Sequence, residues 1–180
     1  MRRKWSIWVC CMDNEFPKRK PTRLRDFDYS QNGAYFITIC AQNMRCIFGN
    51  IVGEGSPLPQ LSPFGSAVKK CIDMIPEKYP DVIVDKYVIM PNHIHLILCI
   101  SKENGRGDPS PTISTVVGWL KYKCTKDINA LANSNGKPVF QRSFHDHIIR
   151  NVHDYTKIWE YIDTNHLRWH DDCFYSGDLP

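Results

Sequence analysis

The sequence predicts an α+β fold, a single domain in which helices pack on one face of an antiparallel sheet. Segments rich in β-branched and aromatic residues alternate with segments of helical periodicity, and two of the strand segments follow each other closely enough to pair. A chain of 180 residues is long enough for one substantial core and too short for two domains of ordinary size. We therefore expect one domain over 22–180, preceded by a disordered or extraneous segment, 1–21.

Strand signals recur along the chain. The segment 34–40 (AYFITIC) is aromatic and β-branched and follows an Asn-Gly turn, which predicts the first core strand. Segments 82–90 and 93–100 are separated by a Pro-Asn break, which suits an antiparallel pair. We expect one further short strand within 139–150.

Helical periodicity appears in three segments. The first opens at Ser62-Pro63, a cap residue followed by proline at the first helical position. The second starts at Thr112, and the third starts at Asn151 and runs to about Asn165. An order of strand, helix, two strands, helix, strand and helix predicts a ferredoxin-like topology.

Composition limits the function classes without choosing one. The net charge is +4, but residues 1–25 carry eight Lys or Arg against two acidic residues, so the remaining chain sums to −2. A phosphate-binding surface on the folded domain would therefore need local clusters of basic side chains. No apolar run approaches the roughly 20 residues that cross a bilayer. Eight cysteines without a Cys-x-x-Cys pair favour a reducing cytoplasm.

His93 and His95 lie two positions apart in the segment PNHIHLIL. Side chains alternate between the faces of a strand, so both imidazoles project from one face while Ile94 and Leu96 project from the other. Neutral imidazole nitrogens bind metals readily, and two adjacent ones can share one ion. The alternative is a pair of partly exposed strand histidines, and two residues alone make a weak motif.

Tyr161 and Asn165 lie four positions apart in the predicted third helix, so they share a face about one turn apart. A hydroxyl and an amide oxygen would then point in one direction. The alternative is a core-packing stripe with Tyr161 at its border and Asn165 as a residue of the helix end. That stripe would consist of Tyr155, Ile158 and Ile162.

The run YVIMPNHIHLIL, followed later by FHDHIIRNVHDYTKIWEYIDTN, resembles the REP-associated tyrosine transposases and the related single-tyrosine transposases of simple insertion sequences. These proteins belong to the His-hydrophobic-His (HUH) endonuclease superfamily. The resemblance covers about residues 22 to 175, and two motifs in the right order are more specific than either alone. It implies a ferredoxin-like fold, a Mg²⁺ or Mn²⁺ ion, and cleavage of single-stranded DNA next to a folded hairpin.

The resemblance also implies residue roles. His93 and His95 match the two metal-binding histidines, Tyr161 matches the nucleophile, and Asn165 matches the polar third ligand. Tyrosine attack would give a 5′-phosphotyrosine and a free 3′-hydroxyl, so that DNA is nicked and joined without ATP. The activity implied is that of a DNA transposase, acting on hairpin DNA in a bacterial cytoplasm near the nucleoid and with no membrane partner.

Further candidates for the site rest on residue type alone. Basic side chains that could contact phosphates are Lys121, Lys123, Lys126, Arg23 and Arg25. The alternative for these is a solvated helix face and a disordered tail. His145 and His147 are auxiliary candidates for accepting the tyrosine proton, or polar strand positions with a structural role.

Two other functions fit the same residues. A protein of this fold that has lost catalysis could hold single-stranded DNA or a hairpin as a regulator. A metal-dependent nuclease could use a bound water as nucleophile while Tyr161 only packs. The sequence does not identify the target DNA, the cleavage position or the metal, and it leaves open a monomer or a homodimer.

Overall fold

The computed structural model describes residues 31–51, 59–101 and 111–175. Its strands are β1 (Gly33–Cys40), β2 (Gly49–Asn50), β3 (Gln60–Leu61), β4 (Val82–Ile89), β5 (His93–Ile100) and β6 (His145–Ile149). Its α-helices are α1 (Pro63–Asp73), α2 (Ile75–Lys78), α3 (Ile113–Leu131) and α4 (Val152–Thr164). Two 3₁₀ segments, Gln42–Met44 and Asn165–Asp171, follow β1 and α4. The predicted segment 1–21, with Arg23 and Arg25, lies outside the described residues.

The main sheet has the strand order β4-β5-β1-β6, and every neighbouring pair is antiparallel. This order, with α1 between β1 and β4 and α3 between β5 and β6, is the ferredoxin-like arrangement. The predicted α+β class and antiparallel sheet are therefore confirmed. The short strands β2 and β3 form a separate two-stranded ribbon.

One face of the sheet carries the larger hydrophobic core. Ile94, Leu96 and Leu98 of β5 pack there against residues of α1 and α3. The alternation predicted for 93–100 is thus observed, with four aliphatic side chains on one face and the two histidines on the other. Burial of this apolar surface supplies the main free energy that holds α1 and α3 on the sheet.

The helix α4 packs on the opposite face, which differs from the expectation that the helices share one face. Ile162 of α4 and Trp169 of the following 3₁₀ segment join a second apolar cluster with Val88, Met90 and Ile97. These side chains form a smaller apolar patch on the histidine-bearing face, and the apolar stripe of α4 covers it. As a result helices pack on both faces of the sheet, and α4 lies over the histidines.

Local signals explain where the helices begin. The Ser62 hydroxyl accepts a hydrogen bond from the Gly65 backbone N–H at 3.1 Å, so Ser62 caps α1 as predicted. The Asn151 side chain accepts from the Asp154 N–H at 2.9 Å and caps α4. This cap sets the start of the helix that carries Tyr161. Within the described part of the chain, the helices are too short or too polar to cross a membrane.

Candidate active site

The two histidines of β5 lie side by side beneath α4. His93 is 0% exposed and His95 is 1% exposed, and their ring centroids are 4.5 Å apart. The predicted adjacency is therefore present, but the side chains are buried rather than partly exposed. Burying polar rings costs free energy unless they are hydrogen-bonded or bind a ligand, so their partners decide what they can do.

Each imidazole is oriented by one neighbour. His93 Nδ1 lies 2.8 Å from the Asn92 side-chain oxygen, and His95 Nδ1 lies 2.8 Å from the Thr38 hydroxyl. Contacts of this kind fix the rotation of a ligating histidine and its tautomer. Because both Nδ1 atoms are occupied, the Nε2 atoms are the ones left to bind a ligand.

Both imidazoles are held in the neutral form. Burial lowers the pKa of His95 to about 3. Burial also lowers the pKa of His93 well below its usual value, and the neighbouring His95 adds to this effect. A neutral imidazole has the lone pair that a metal ion requires, so the low pKa values suit a metal site.

Asp172 is a functional candidate that the sequence reasoning missed. It follows the 3₁₀ segment Asn165–Asp171. One of its carboxylate oxygens, one ring nitrogen of His93 and one of His95 all lie within 4.8 Å of one another. The distance from His93 Nε2 to Asp172 Oδ2 is 4.0 Å. The only signal in the sequence was a pair of aspartates just beyond the helix that carries Tyr161.

Asn165, the predicted third ligand, lies beside this carboxylate. It is 3% exposed, and its amide nitrogen donates to Asp172 Oδ2 at 2.8 Å. Among the described residues, the Asn165 side-chain oxygen and His93 Nε2 are buried without a hydrogen-bond partner. Two unsatisfied acceptor atoms beside a carboxylate fit a divalent cation, which would satisfy both.

The Tyr161 hydroxyl reaches the same cluster from α4. Its oxygen lies 3.3 Å from His95 Nε2, and its ring meets the His95 ring edge-on at a centroid distance of 5.2 Å. Burial raises the pKa of Tyr161 above its usual value, and the nearby Asp172 and Cys173 raise it further. The hydroxyl therefore remains protonated in this arrangement and can donate to His95 Nε2.

The chain that follows α4 covers the His93 side of the cluster. The Phe174 ring lies over both imidazoles, with centroid distances of 4.6 Å to His93 and 5.9 Å to His95. The Asn92 amide nitrogen donates to the Phe174 carbonyl at 2.8 Å and holds this segment in place. Phe174 is thus one of the side chains that enclose the two histidines.

The auxiliary candidates His145 and His147 lie on β6 and are exposed. The strand register places His145 opposite Thr38 and His147 opposite Phe36, so both histidines project from the same face as His93 and His95. His147 Nε2 lies 2.8 Å from the Asp154 carboxylate. The hydroxyl partner seen for Tyr161 is His95, so a role for the β6 histidines as proton acceptors stays a prediction.

The three predicted lysines of α3 are separated from the cluster, because α3 packs on the opposite face of the sheet. The Lys121 ammonium donates to the carbonyls of Gln141 and Arg142 at 2.6 and 2.9 Å. Lys123 pairs with Asp127 at 2.7 Å, while Lys126 is exposed. Lys121 thus supports the segment before β6, and a phosphate contact by these lysines stays a prediction.

Comparison with known proteins places the chain in a family and a fold. No protein-family model matches it. Over 170 residues it is 34% identical to an uncharacterized protein of Haemophilus influenzae, a match that covers 87% of this chain and 93% of the other. A REP-associated tyrosine transposase bound to a REP hairpin has a similar structure, with a TM-score of 0.60 and 22% identity over 81% of this chain and 73% of that chain. The chain therefore belongs to the family of the Haemophilus influenzae protein, and it has the fold of the REP-associated tyrosine transposase.

Proposed function

We propose that this protein cuts and rejoins single-stranded DNA as a transposase does, with Tyr161 as the nucleophile. One observation carries the proposal: the Tyr161 hydroxyl lies 3.3 Å from His95 Nε2, in a cluster where two neutral imidazoles and a carboxylate could hold a metal ion. A packing tyrosine does not require a cluster of this kind. The similar fold of a transposase supports the same function.

His93, His95 and Asp172 would hold the cation, and Asn165 would contribute in two ways. Its N–H group positions the Asp172 carboxylate, and its side-chain oxygen is a further ligand atom at the same place. A bound divalent cation would polarise the scissile phosphate and stabilise the departing oxygen. Because Mg²⁺ prefers an all-oxygen shell, two imidazole nitrogens favour Mn²⁺.

His95 Nε2 has one lone pair, so it can serve either the cation or the Tyr161 hydroxyl. A cation held there would take this acceptor from the hydroxyl, which would then be available to a phosphate. The hydroxyl sits in a buried environment where its pKa is raised, so the proton must be removed as the attack proceeds. Exchange of the hydroxyl partner would therefore prepare Tyr161 for attack.

The proposed chemistry conserves the number of phosphodiester bonds. The Tyr161 oxygen forms a bond to phosphorus and the bond to the 3′-oxygen breaks, which gives a 5′-phosphotyrosine and a 3′-hydroxyl. The tyrosine loses one proton and the departing oxygen gains one. Attack by a second 3′-hydroxyl on the phosphotyrosine reverses these changes and joins two DNA ends, so no ATP is consumed.

The proposed substrate is single-stranded DNA adjoining a hairpin, because the transposase of similar fold is bound to a REP hairpin. We place the reaction in the bacterial cytoplasm, where such DNA is located. The domain that carries it is assigned to 22–180. The metal is a divalent ion, and the assay below includes both Mn²⁺ and Mg²⁺.

A denaturing-gel assay tests the proposal. The protein is incubated with a labelled hairpin oligonucleotide and Mn²⁺ or Mg²⁺, then denatured. We expect a covalent protein–DNA band that is lost in Tyr161→Phe and kept in Tyr155→Phe, a tyrosine of the same helix that bonds Asp85 instead. Cleavage that persists in Tyr161→Phe would identify a water-dependent nuclease. A shifted complex without cleavage would identify a DNA-binding regulator.

A further inference from the structure

The helix α4 covers only part of the histidine-bearing face of the sheet. That helix packs mainly against β4 and β5, and Phe174 covers His93. On β6, which is an edge strand, the side chains of His145 and His147 on this face are exposed. Among the described residues, β6 is therefore the exposed side of this face, and a DNA strand can approach Tyr161 over it.

Three side chains connect this exposed part of β6 to the nucleophile. Phe36 of β1 is half-buried, and its ring centroid lies 5.1 Å from that of His95 and 6.1 Å from that of Tyr161. On the other side Phe36 is the register partner of His147, with His145 two positions away on the same face. We name Phe36, His145 and His147 the β6 shelf. It is continuous with the cluster around Tyr161.

The chemistry of the β6 shelf fits unpaired nucleotides. Bases of single-stranded DNA stack on aromatic rings, and both phenylalanine and histidine provide them. The contact between His147 and Asp154 fixes the orientation of the imidazole, so less conformational entropy is lost when a base stacks on it. A paired duplex would not present its base faces to these rings.

The charges around β6 also match a phosphate backbone. Arg142 and Arg150 flank the strand at its two ends, and both are exposed. The acidic residue within the strand, Asp146, projects from the other face, and Asp154 is already bonded to His147. Positive side chains therefore lie just beyond both ends of this edge strand, and a phosphate backbone that runs along the strand requires such charges.

We infer that the β6 shelf binds the single-stranded DNA segment next to the scissile phosphate. Bases stack on Phe36 and His147, His145 contacts the same segment, and the phosphates at the two ends contact Arg142 and Arg150. This inference rests on the proposed function, because it places the DNA relative to Tyr161. It assigns single-strand binding to β6 rather than to the lysines of α3.

The test measures binding of a short labelled oligonucleotide without a hairpin by fluorescence anisotropy, with no metal added. We expect His147→Ala to weaken binding about tenfold, the loss of one stacked base. The matched control is Tyr122→Ala, because Tyr122 is 67% exposed on α3, on the other face of the sheet. Its affinity should equal that of the unchanged protein. Thermal unfolding of each variant checks that the fold is kept.

The salt dependence separates stacking from phosphate contacts. For single strands each phosphate contact contributes about 0.7 to the slope of log affinity against log salt concentration. Arg142→Gln and Arg150→Gln should each reduce the magnitude of the slope by about this amount, so that binding depends less on salt. His147→Ala should leave the slope unchanged. A variant that merely damaged the fold would not change the salt dependence in the arginine variants alone and the affinity at constant slope in His147→Ala.

The outcomes for the shelf and for the proposed function are distinct. Equal affinities for His147→Ala, Tyr122→Ala and the unchanged protein would overturn the shelf, even if the Tyr161 adduct forms. An oligonucleotide that does not bind the unchanged protein would also overturn it. Loss of affinity in His147→Ala without any covalent adduct would support the shelf and refute the proposed function.

Discussion

Metal binding should depend on the Asp172 carboxylate, and Asp172→Asn is the variant that tests this. The Asp172 side chain is 2% exposed, and its carboxylate accepts from the Asn165 N–H group and from the Phe174 backbone N–H. An asparagine there has the same shape and keeps an oxygen for one of these two donors. The change therefore removes the negative charge while it preserves the shape. We expect an intact fold with weaker metal affinity.

The expected magnitude follows from linkage. A metal present at 100 times its Kd stabilises the folded chain by about 2.7 kcal/mol, which raises the Tm by about 5–11 °C for a domain of this size. Loss of the charged ligand should weaken affinity by at least about 10- to 100-fold, the range seen for supporting residues of metal sites. The stabilisation at the same metal concentration then falls to between about 0.4 and 1.4 kcal/mol, a Tm rise of about 1–6 °C.

The assay is thermal unfolding followed by fluorescence, with Mn²⁺ added in steps to the unchanged protein and to each variant. Asp171→Asn is the matched control, because Asp171 is the exposed neighbour of Asp172. It should show the full rise in Tm, and His95→Ala should show none. A full rise in Asp172→Asn would refute the carboxylate as a ligand and leave Asn165 as the third one.

Three further predictions address separate contacts. Tyr161→Phe should bind Mn²⁺ about two- to tenfold more tightly than the unchanged protein, because the hydroxyl no longer competes for His95 Nε2. Calorimetry measures this affinity, and unchanged or weaker binding would contradict the competition. Lys121→Met should lower the free energy of unfolding by about 1–3 kcal/mol in denaturant titrations, because two carbonyls lose their donor, whereas Lys126→Met should change it by less than about 0.5 kcal/mol. The hydrogen bond to Asp85 raises the pKa of Tyr155 to about 12, so ultraviolet titration of the unchanged protein should show a tyrosine ionising near this value that is missing in Tyr155→Phe. The native pKa exceeds the reference value of about 10, so the stability that this bond contributes is complete below pH 10 and is lost as the pH rises towards 12. A Tyr155 pKa near 10 would refute the contact.

The histidine pair could be located from sequence because it depends on a local rule. Alternation along β5 places His93 and His95 on one face whatever the rest of the fold does. The same holds for the Asn151 cap, which fixes the start of α4 and hence the position of Tyr161 on the helix. Features that depend on only a few neighbouring residues can be predicted from a single sequence.

Other features depend on tertiary packing and leave no periodic signal. The apolar stripe of α4 predicts that the helix packs on something, but not which face of the sheet it covers. Asp172 reaches the histidines only because a 3₁₀ segment redirects the chain after α4. The exposure of Lys121 was expected from helical periodicity, whereas its binding to two carbonyls depends on where the segment before β6 passes.

The most direct test of the central claim is peptide mapping by mass spectrometry after reaction with a hairpin oligonucleotide and Mn²⁺. The account predicts a DNA fragment attached through a 5′-phosphate to Tyr161, with a matching free 3′-hydroxyl on the released strand. Cleaved DNA with no attached peptide, or attachment at any residue other than Tyr161, would contradict it.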